Sequence, residues 1–315
     1  MSTLILRTAF VGGVIALSFG LLDAQSRVGG RPPEEPSYFP KPVKLTAYTP
    51  PMKPHTVLAE VKAKHKGQKE WSEWVVKDDY LWGQYIQSAP GSKVSPRFHP
   101  DTRAWWVILE GQIRFNIEGQ ESFVARRRTM AQVPAQTIYS METVGDEPAI
   151  RFEVGIHNAT TLYPEKPTFQ VPGANWVAVK LNRHPFPWGH ENKPHINLDD
   201  LVAANPNYNG SRFVWDDRAV ANIIYGYSSK LPPVNPKDKG HFHPECAEFW
   251  VIMEGQIRYP IEGQSKVVIA NEGDVVYVPK WTYHAPRWWG DGPSCRLAMN
   301  GYPDIAHLRD AFQPH

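Results

Sequence analysis

An all-β chain built from two copies of one sandwich or barrel is the fold class this sequence predicts. Three observations predict it: the chain repeats itself at a fixed offset, its apolar runs are short and strand-like, and Gly and Pro mark its turns. Of the 315 residues, 12% are aromatic and 12 are Trp, which suits β structure around large apolar cores better than helices. A chain of this length can form two domains of ordinary size, each with its own core. The 30 Pro and 23 Gly are spread between apolar runs and do not gather into low-complexity tracts. A net charge of +2 with scattered basic residues excludes the basic footprint of a nucleic-acid binder.

The repeat is direct. Phe98-His99-Pro100 recurs as Phe242-His243-Pro244, and LEGQIRFNIEGQ from Leu109 recurs as MEGQIRYPIEGQ from Met253, both at an offset of 144 residues. Further on, Val133-Pro134 and Gly145-Asp146 recur as Val278-Pro279 and Gly290-Asp291 at an offset of 145, so one residue has been inserted between the blocks. In each copy a compact apolar run, Trp105 to Leu109 or Phe249 to Met253, ends in Glu-Gly. An alternating run follows, Gln112 to Ile117 or Gln256 to Ile261, and a second Glu-Gly turn closes it. Strands at this spacing without a helical period indicate a sandwich or barrel.

Taken in order, residues 1–24 have the layout of a secretory signal peptide: Arg7, an uncharged apolar run from Thr8 to Leu22, and a small-residue cleavage site at Ala24. The run is shorter than the roughly 20 residues a bilayer span wants, although an uncleaved anchor is the alternative reading. No Cys follows it to carry a lipid. Cleavage predicts a secreted or periplasmic protein that begins near Gln25 and has no membrane contact. Residues 25–70 read as an extended Pro-rich arm, expected to pack on the partner copy or on a second subunit; a homodimer is one candidate assembly. The first barrel is expected over 71–160, a connector over 161–210, the second barrel over 211–303 and a tail over 304–315. Within the connector, Leu198 to Ala204 reads as a short helix with Asn197 as its N-cap and Asp199 and Asp200 in its first turn. Cys246 and Cys295 lie in strand-like apolar segments, which favours two buried free thiols over a disulfide.

The second copy carries the chemistry. His241 and His243 are two apart and share one face of a strand. Glu248 lies an odd number of positions beyond His243, so a kink is needed to aim it inward, and Pro244 is well placed to supply one. A straight strand would present Glu245 instead. Imidazole with carboxylate suits a first-row divalent ion.

These segments resemble the two motifs of the cupin family. The first motif, His-x-His, a Glu and then a Gly, is matched by His241, His243, Glu248 and Gly255. The second, a Gly, a Pro and then a His, is matched by Gly273, Pro279 and His284. Most members have Gly two residues after that Pro, where this chain has Trp281; the departure is expected to alter the turn and spare the ligand. The resemblance implies two tandem double-stranded β-helix (jelly-roll) barrels, a bicupin, with His241, His243, Glu248 and His284 as metal ligands. In the first copy the matching positions hold Arg97, His99, Ala104 and Tyr139, so only one possible ligand survives and that barrel is expected to be structural. A sharper alternative makes Arg97, His99 and Tyr139 an anion pocket.

Three neutral His and one carboxylate around a divalent ion leave about two coordination positions open, the mark of a catalytic metal. Iron, manganese, copper, nickel and zinc all suit the set. Aromatics around the motif predict an apolar pocket for a small organic substrate, with Tyr283 and Tyr259 as candidate acid–base hydroxyls. Three functions follow as expectations: an oxidoreductase of the dioxygenase type, a non-redox lyase, decarboxylase or isomerase on a small carboxylate, or a binding protein without catalysis. Oxalate-degrading bicupins use this ligand set, usually in both barrels, and the loss in copy one weakens that likeness.

Overall fold

The structure is a computed structural model that describes residues 37–164, 192–301 and 306–310. The expected signal peptide and its cleavage site lie outside them. In the first copy a six-stranded sheet runs in the order His195–Asn197, Thr129–Val133, Ala104–Glu110, Ala149–Ile156, Leu81–Ser88, Trp71–Lys77. A four-stranded sheet, Lys93–Arg97, Tyr139–Val144, Gln112–Ile117, Phe123–Arg126, closes over it. The second copy repeats the plan. Its six strands are Gly210–Trp215, Val220–Tyr227, Pro293–Asn300, Glu248–Glu254, Val275–Val278 and His55–Thr56, covered by Val268–Asn271, Gln256–Tyr259 and Arg287–Trp289. Each copy is a jelly-roll barrel.

Residue alternation explains the packing. Gln112–Ile117 alternates exposed and buried because only one face meets a core. Ala104–Glu110 and Glu248–Glu254 are buried along nearly their whole length because both faces are covered. Trp106 and Ile108 point into their own barrel, while Trp105, Val107 and Leu109 join Phe249, Val251 and Met253 in one core between the two large sheets. Across this core the Trp105 indole N–H donates to Met299 Sδ at 3.4 Å, and Phe152 meets Phe249 edge-on at 6.5 Å.

The barrels also exchange edges. His55–Thr56, which precedes the first barrel, pairs with Val275 and Val276 of the second. His195–Asn197, which precedes the second, pairs with Thr129 to Ala131 of the first. Among its described residues the stretch read as extended over 25–70 contains two strands, Ser37–Phe39 and His55–Thr56, and a helix, Leu58–Lys64, which drives Leu58 and Val61 into the inter-barrel core. Val57 offers that helix no side-chain cap, and Asp274 of the second barrel accepts from the Leu58 N–H at 3.0 Å instead. Tertiary capping of this kind leaves no local trace in the sequence. The connector helix is Leu198–Ala204, with the Asn197 side chain accepting from the N–H groups of Asp199 and Asp200.

Residues 306–310 of the segment assigned to a tail are part of the fold. Leu308–Asp310 pairs in parallel with Ser37–Phe39, and Leu308 exchanges backbone hydrogen bonds with Phe242 at 3.0 and 3.1 Å. Cys246 and Cys295 are both free and buried. Among the described residues no helix is long and apolar enough to cross a membrane.

Candidate metal centre

His241 and His284 face each other across a single antiparallel bridge, each N–H donating to the other's carbonyl at 3.1 and 3.0 Å. Regular pairing stops after Phe242, the chain bends at Pro244 and Glu245, and a new strand opens on Glu248. The bend turns Glu248 to the histidine face, as its odd spacing requires. One ligand atom from each of His241, His243, Glu248 and His284 lies within 4.8 Å of all the others. Glu245 is aimed elsewhere, accepting from the Ala306 N–H at 3.4 Å.

Two of the imidazoles are oriented by carbonyls, which can only accept. His243 Nδ1 donates to Ala306 O at 2.8 Å and His284 Nδ1 donates to Thr282 O at 2.9 Å. Each ring therefore turns Nε2 inward, at 3.0 and 3.1 Å from the same oxygen, Glu248 Oε2. Burial alone would raise the Glu248 carboxyl, but the hydrogen bonds and charge of His243 and His284 outweigh it and hold it well below the usual range. Burial, with His284, His307, His243 and Arg309 nearby, pushes His241 well below the ordinary histidine value. It stays neutral at neutral pH with a lone pair to give. His241 Nε2 is buried with no hydrogen-bond partner among the described residues. An orphaned imidazole nitrogen, two more aimed at one carboxylate oxygen, and a carboxylate held ionised together fit a divalent cation.

His307 was missed at the sequence level. Its ring lies 4.6 Å from that of His241 and 4.9 Å from that of His243. Neither motif includes it, and only the pairing of Leu308 with Phe242 brings it to the site.

The two candidate hydroxyls separate. Tyr283 lies on the opposite side of the His-x-His segment, packed with Phe242 at 5.3 Å, and its hydroxyl accepts from the Asp310 N–H at 2.8 Å. The geometry does not bring it to the ligands. Tyr259 is fully buried within the second barrel, 5.0 Å from Trp250, which in turn meets the His284 ring edge-on at 5.3 Å. Burial, with Glu248 nearby, raises the Tyr259 hydroxyl far above its usual value, so it is a neutral donor, and it has no partner among the described residues.

Trp281 lies in the turn after Pro279. It takes φ 65°, the left-handed conformation Gly favours, and its N–H donates to His243 O at 2.8 Å. Its ring packs at 5.7 Å on Phe242 and 5.9 Å on Phe39, which offsets the backbone cost. In the first barrel Gln136 does the same, with φ 58° and a bond to His99 O at 2.6 Å.

The first barrel assembles no such centre among the described residues. His99 is satisfied by Thr160 O at 3.0 Å and by the Tyr139 hydroxyl at 3.2 Å. Arg97, registered opposite Tyr139, lies over the Tyr163 ring at 5.3 Å, and its Nε donates to Ser95 O at 3.2 Å.

Comparison with known proteins agrees with this architecture. The cupin domain matches residues 84–155 and again 229–299. No curated protein matches the chain significantly. Among solved structures, a Cupin 2 conserved barrel domain protein from Leptotrichia buccalis is similar with a TM-score of 0.54 at 12% identity, covering 82% of this chain and 98% of that one. Oxalate decarboxylase from Bacillus subtilis superposes with a TM-score of 0.46 at 16% identity, covering 76% of this chain and 74% of that one. A deletion mutant of the same enzyme gives 0.47 at 16%, covering 76% and 75%. With the cupin domain present twice and each copy folded as its own barrel, this chain belongs to the cupin superfamily and is a bicupin.

Proposed function

We propose that the second barrel is a mononuclear metal enzyme, held by His241, His243, Glu248 and His284, that acts on a small organic substrate. The observation that carries this reading is the convergence of three imidazoles and one carboxylate within 4.8 Å inside a buried lumen. A four-ligand set leaves about two positions on a six-coordinate ion open to water, substrate or dioxygen. When bound, the ion supplies Lewis acidity or a place for dioxygen to react. The protein's own contribution is orientation: Ala306 O and Thr282 O fix two rings, and Trp250 walls the lumen beside His284.

In this proposal the reaction is an oxidation of the dioxygenase type, carried out beyond the cytoplasmic membrane after removal of residues 1–24. In this reading the neutral Tyr259 hydroxyl, unpartnered among the described residues, offers a hydrogen bond to the bound substrate. The non-redox alternative, a lyase or isomerase acting on a small carboxylate, draws support from the buried Arg296. The test is a substrate screen with protein loaded separately with iron, manganese, copper, nickel or zinc. Oxygen consumption matched to substrate loss supports the oxidase reading, whereas full turnover under anaerobic conditions replaces it with the non-redox one.

A further inference from the structure

The repeat sets one arginine in the same place in each barrel, but in different surroundings. Arg151 pairs across Ile86 and Ile108, and Arg296, at the offset of 145, pairs across Ile224 and Ile252. In the first barrel Arg151 is neutralised: its Nε donates to Glu153 at 3.3 Å and an Nη to Ser88 Oγ at 3.3 Å. Ser88 is in turn bonded to Thr143 at 2.7 Å, and all three side chains border an open cavity of about 390 Å³.

The second barrel has replaced each of these partners. Ala298 stands where Glu153 does, opposite Trp250 as Glu153 is opposite Trp106. Gly226 stands where Ser88 does, and Trp288 where Thr143 does. The Trp288 indole fills the space a side chain at 226 would need, since a Cβ there would lie 2.5 Å from it. The end of the barrel that is open beside Arg151 is thus plugged beside Arg296. Arg296 is 1% exposed and has no ion-pair partner among the described residues, and its Nε is buried without a hydrogen bond. Tyr259 OH, Asn222 Oδ1, Asn300 Nδ2 and His241 Nε2 are unpartnered in the same barrel. Asn300 is registered opposite Glu248 and Asn222 opposite Ala298, so these atoms lie on the strands between Arg296 and the ligands.

A buried guanidinium without a counter-charge is costly, and proteins retain one where an anion completes it. Burial lowers the Arg296 pKa while Tyr259 and Glu248 oppose the change, which places all three groups within electrostatic reach of one another. Arginine stays protonated even so.

We propose that Arg296 anchors the anionic group, a carboxylate or enolate, of the small molecule that enters the second barrel beside His241, His243, Glu248 and His284. This rests on the second barrel being a substrate site, and it adds that the substrate carries negative charge. Loss of the Glu153 and Ser88 equivalents is what frees the guanidinium for that anion.

The test is calorimetric titration of the metal-loaded full-length protein with formate, acetate and oxalate, each against its neutral amide. At least one anion should bind wild-type protein more tightly than its amide. Arg296→Gln should weaken that binding by about 10- to 100-fold, as loss of a charged hydrogen-bond pair does. Arg296→Lys should recover part of it, and Arg151→Gln should leave it unchanged. Ala298→Glu, which restores the first barrel's ion pair, should abolish anion binding with metal content intact; this keeps the proposal testable if Arg296→Gln fails to fold. The proposal is overturned if no anion outbinds its amide, or if Arg296→Gln or Ala298→Glu binds as wild type does. Thermal shift of metal-free protein separates the two readings. Anion stabilisation of wild type but not of Arg296→Gln, in a chain that never holds metal, would keep the anion site and reject the metal enzyme.

Discussion

At the scale of single residues, orphaned polar atoms in the second barrel gather around the four candidate ligands. Carbonyls orient His243 and His284, whereas His241 has no such partner at Nε2. Trp281 and Gln136 hold the same left-handed conformation, but only Trp281 recovers its cost through ring packing. Gln136→Gly should therefore stabilise the protein by about 0.5–1 kcal/mol, the relief of a strained φ less the entropy glycine adds to the unfolded chain. Chemical denaturation checks this; a loss of stability would mean that the Gln136 side chain contributes more than its backbone costs. Spacing placed His241 and His243 on one strand face, whereas Glu248, with its bend at Pro244, and His284 were legible only through the resemblance to the cupin motifs. His307 was not, because proximity created by strand pairing across more than sixty residues leaves no local pattern. Tyr283 misled for a related reason: it neighbours His284 in sequence, and alternation sends it to the opposite face.

Elements show which signals are local. The helix Leu198–Ala204 carries its own cap, and Asn197 was readable in advance. Asn197 does more than cap, since its amide also donates to Arg127 O and Thr129 Oγ1, both at 3.0 Å. Asn197→Ala should cost about 1–2 kcal/mol, the upper part of the range for a cap because buried acceptors lose their donor as well. Unfolding midpoints of the two proteins test it, and a change below about 0.5 kcal/mol would show the network to be incidental. The helix Leu58–Lys64 is capped by Asp274, more than two hundred residues away, and could not be read from its own segment.

For the whole molecule, the decisive feature is that neither barrel closes alone. Each receives an edge strand from the segment preceding the other, and Trp105, Phe152 and Phe249 fill the core between them. The repeat announced two barrels, but a repeat says nothing about exchanged edges, so 304–315 was read as a tail and 25–70 as an extended arm packing on the partner copy or on a second subunit. Both are built in: Ser37–Phe39 pairs with Leu308–Asp310, and that strand supports the segment bearing His241 and His243. A chain ending at Gly301 should lose the Ala306 carbonyl that orients His243, and with it about 10- to 100-fold in metal affinity. Competition with a chelator measures this; unchanged affinity would show that the C-terminal segment only covers the site.

On the proposed function each chain holds one metal, in the second barrel, and metal analysis of purified protein measures this. Wild type should carry about one divalent ion per chain, His241→Ala and Glu248→Ala should carry almost none, and His99→Ala should keep its full content. A wild-type protein without stoichiometric metal, or a His99→Ala variant that loses it as completely as His241→Ala, would rule out a single centre in the second barrel.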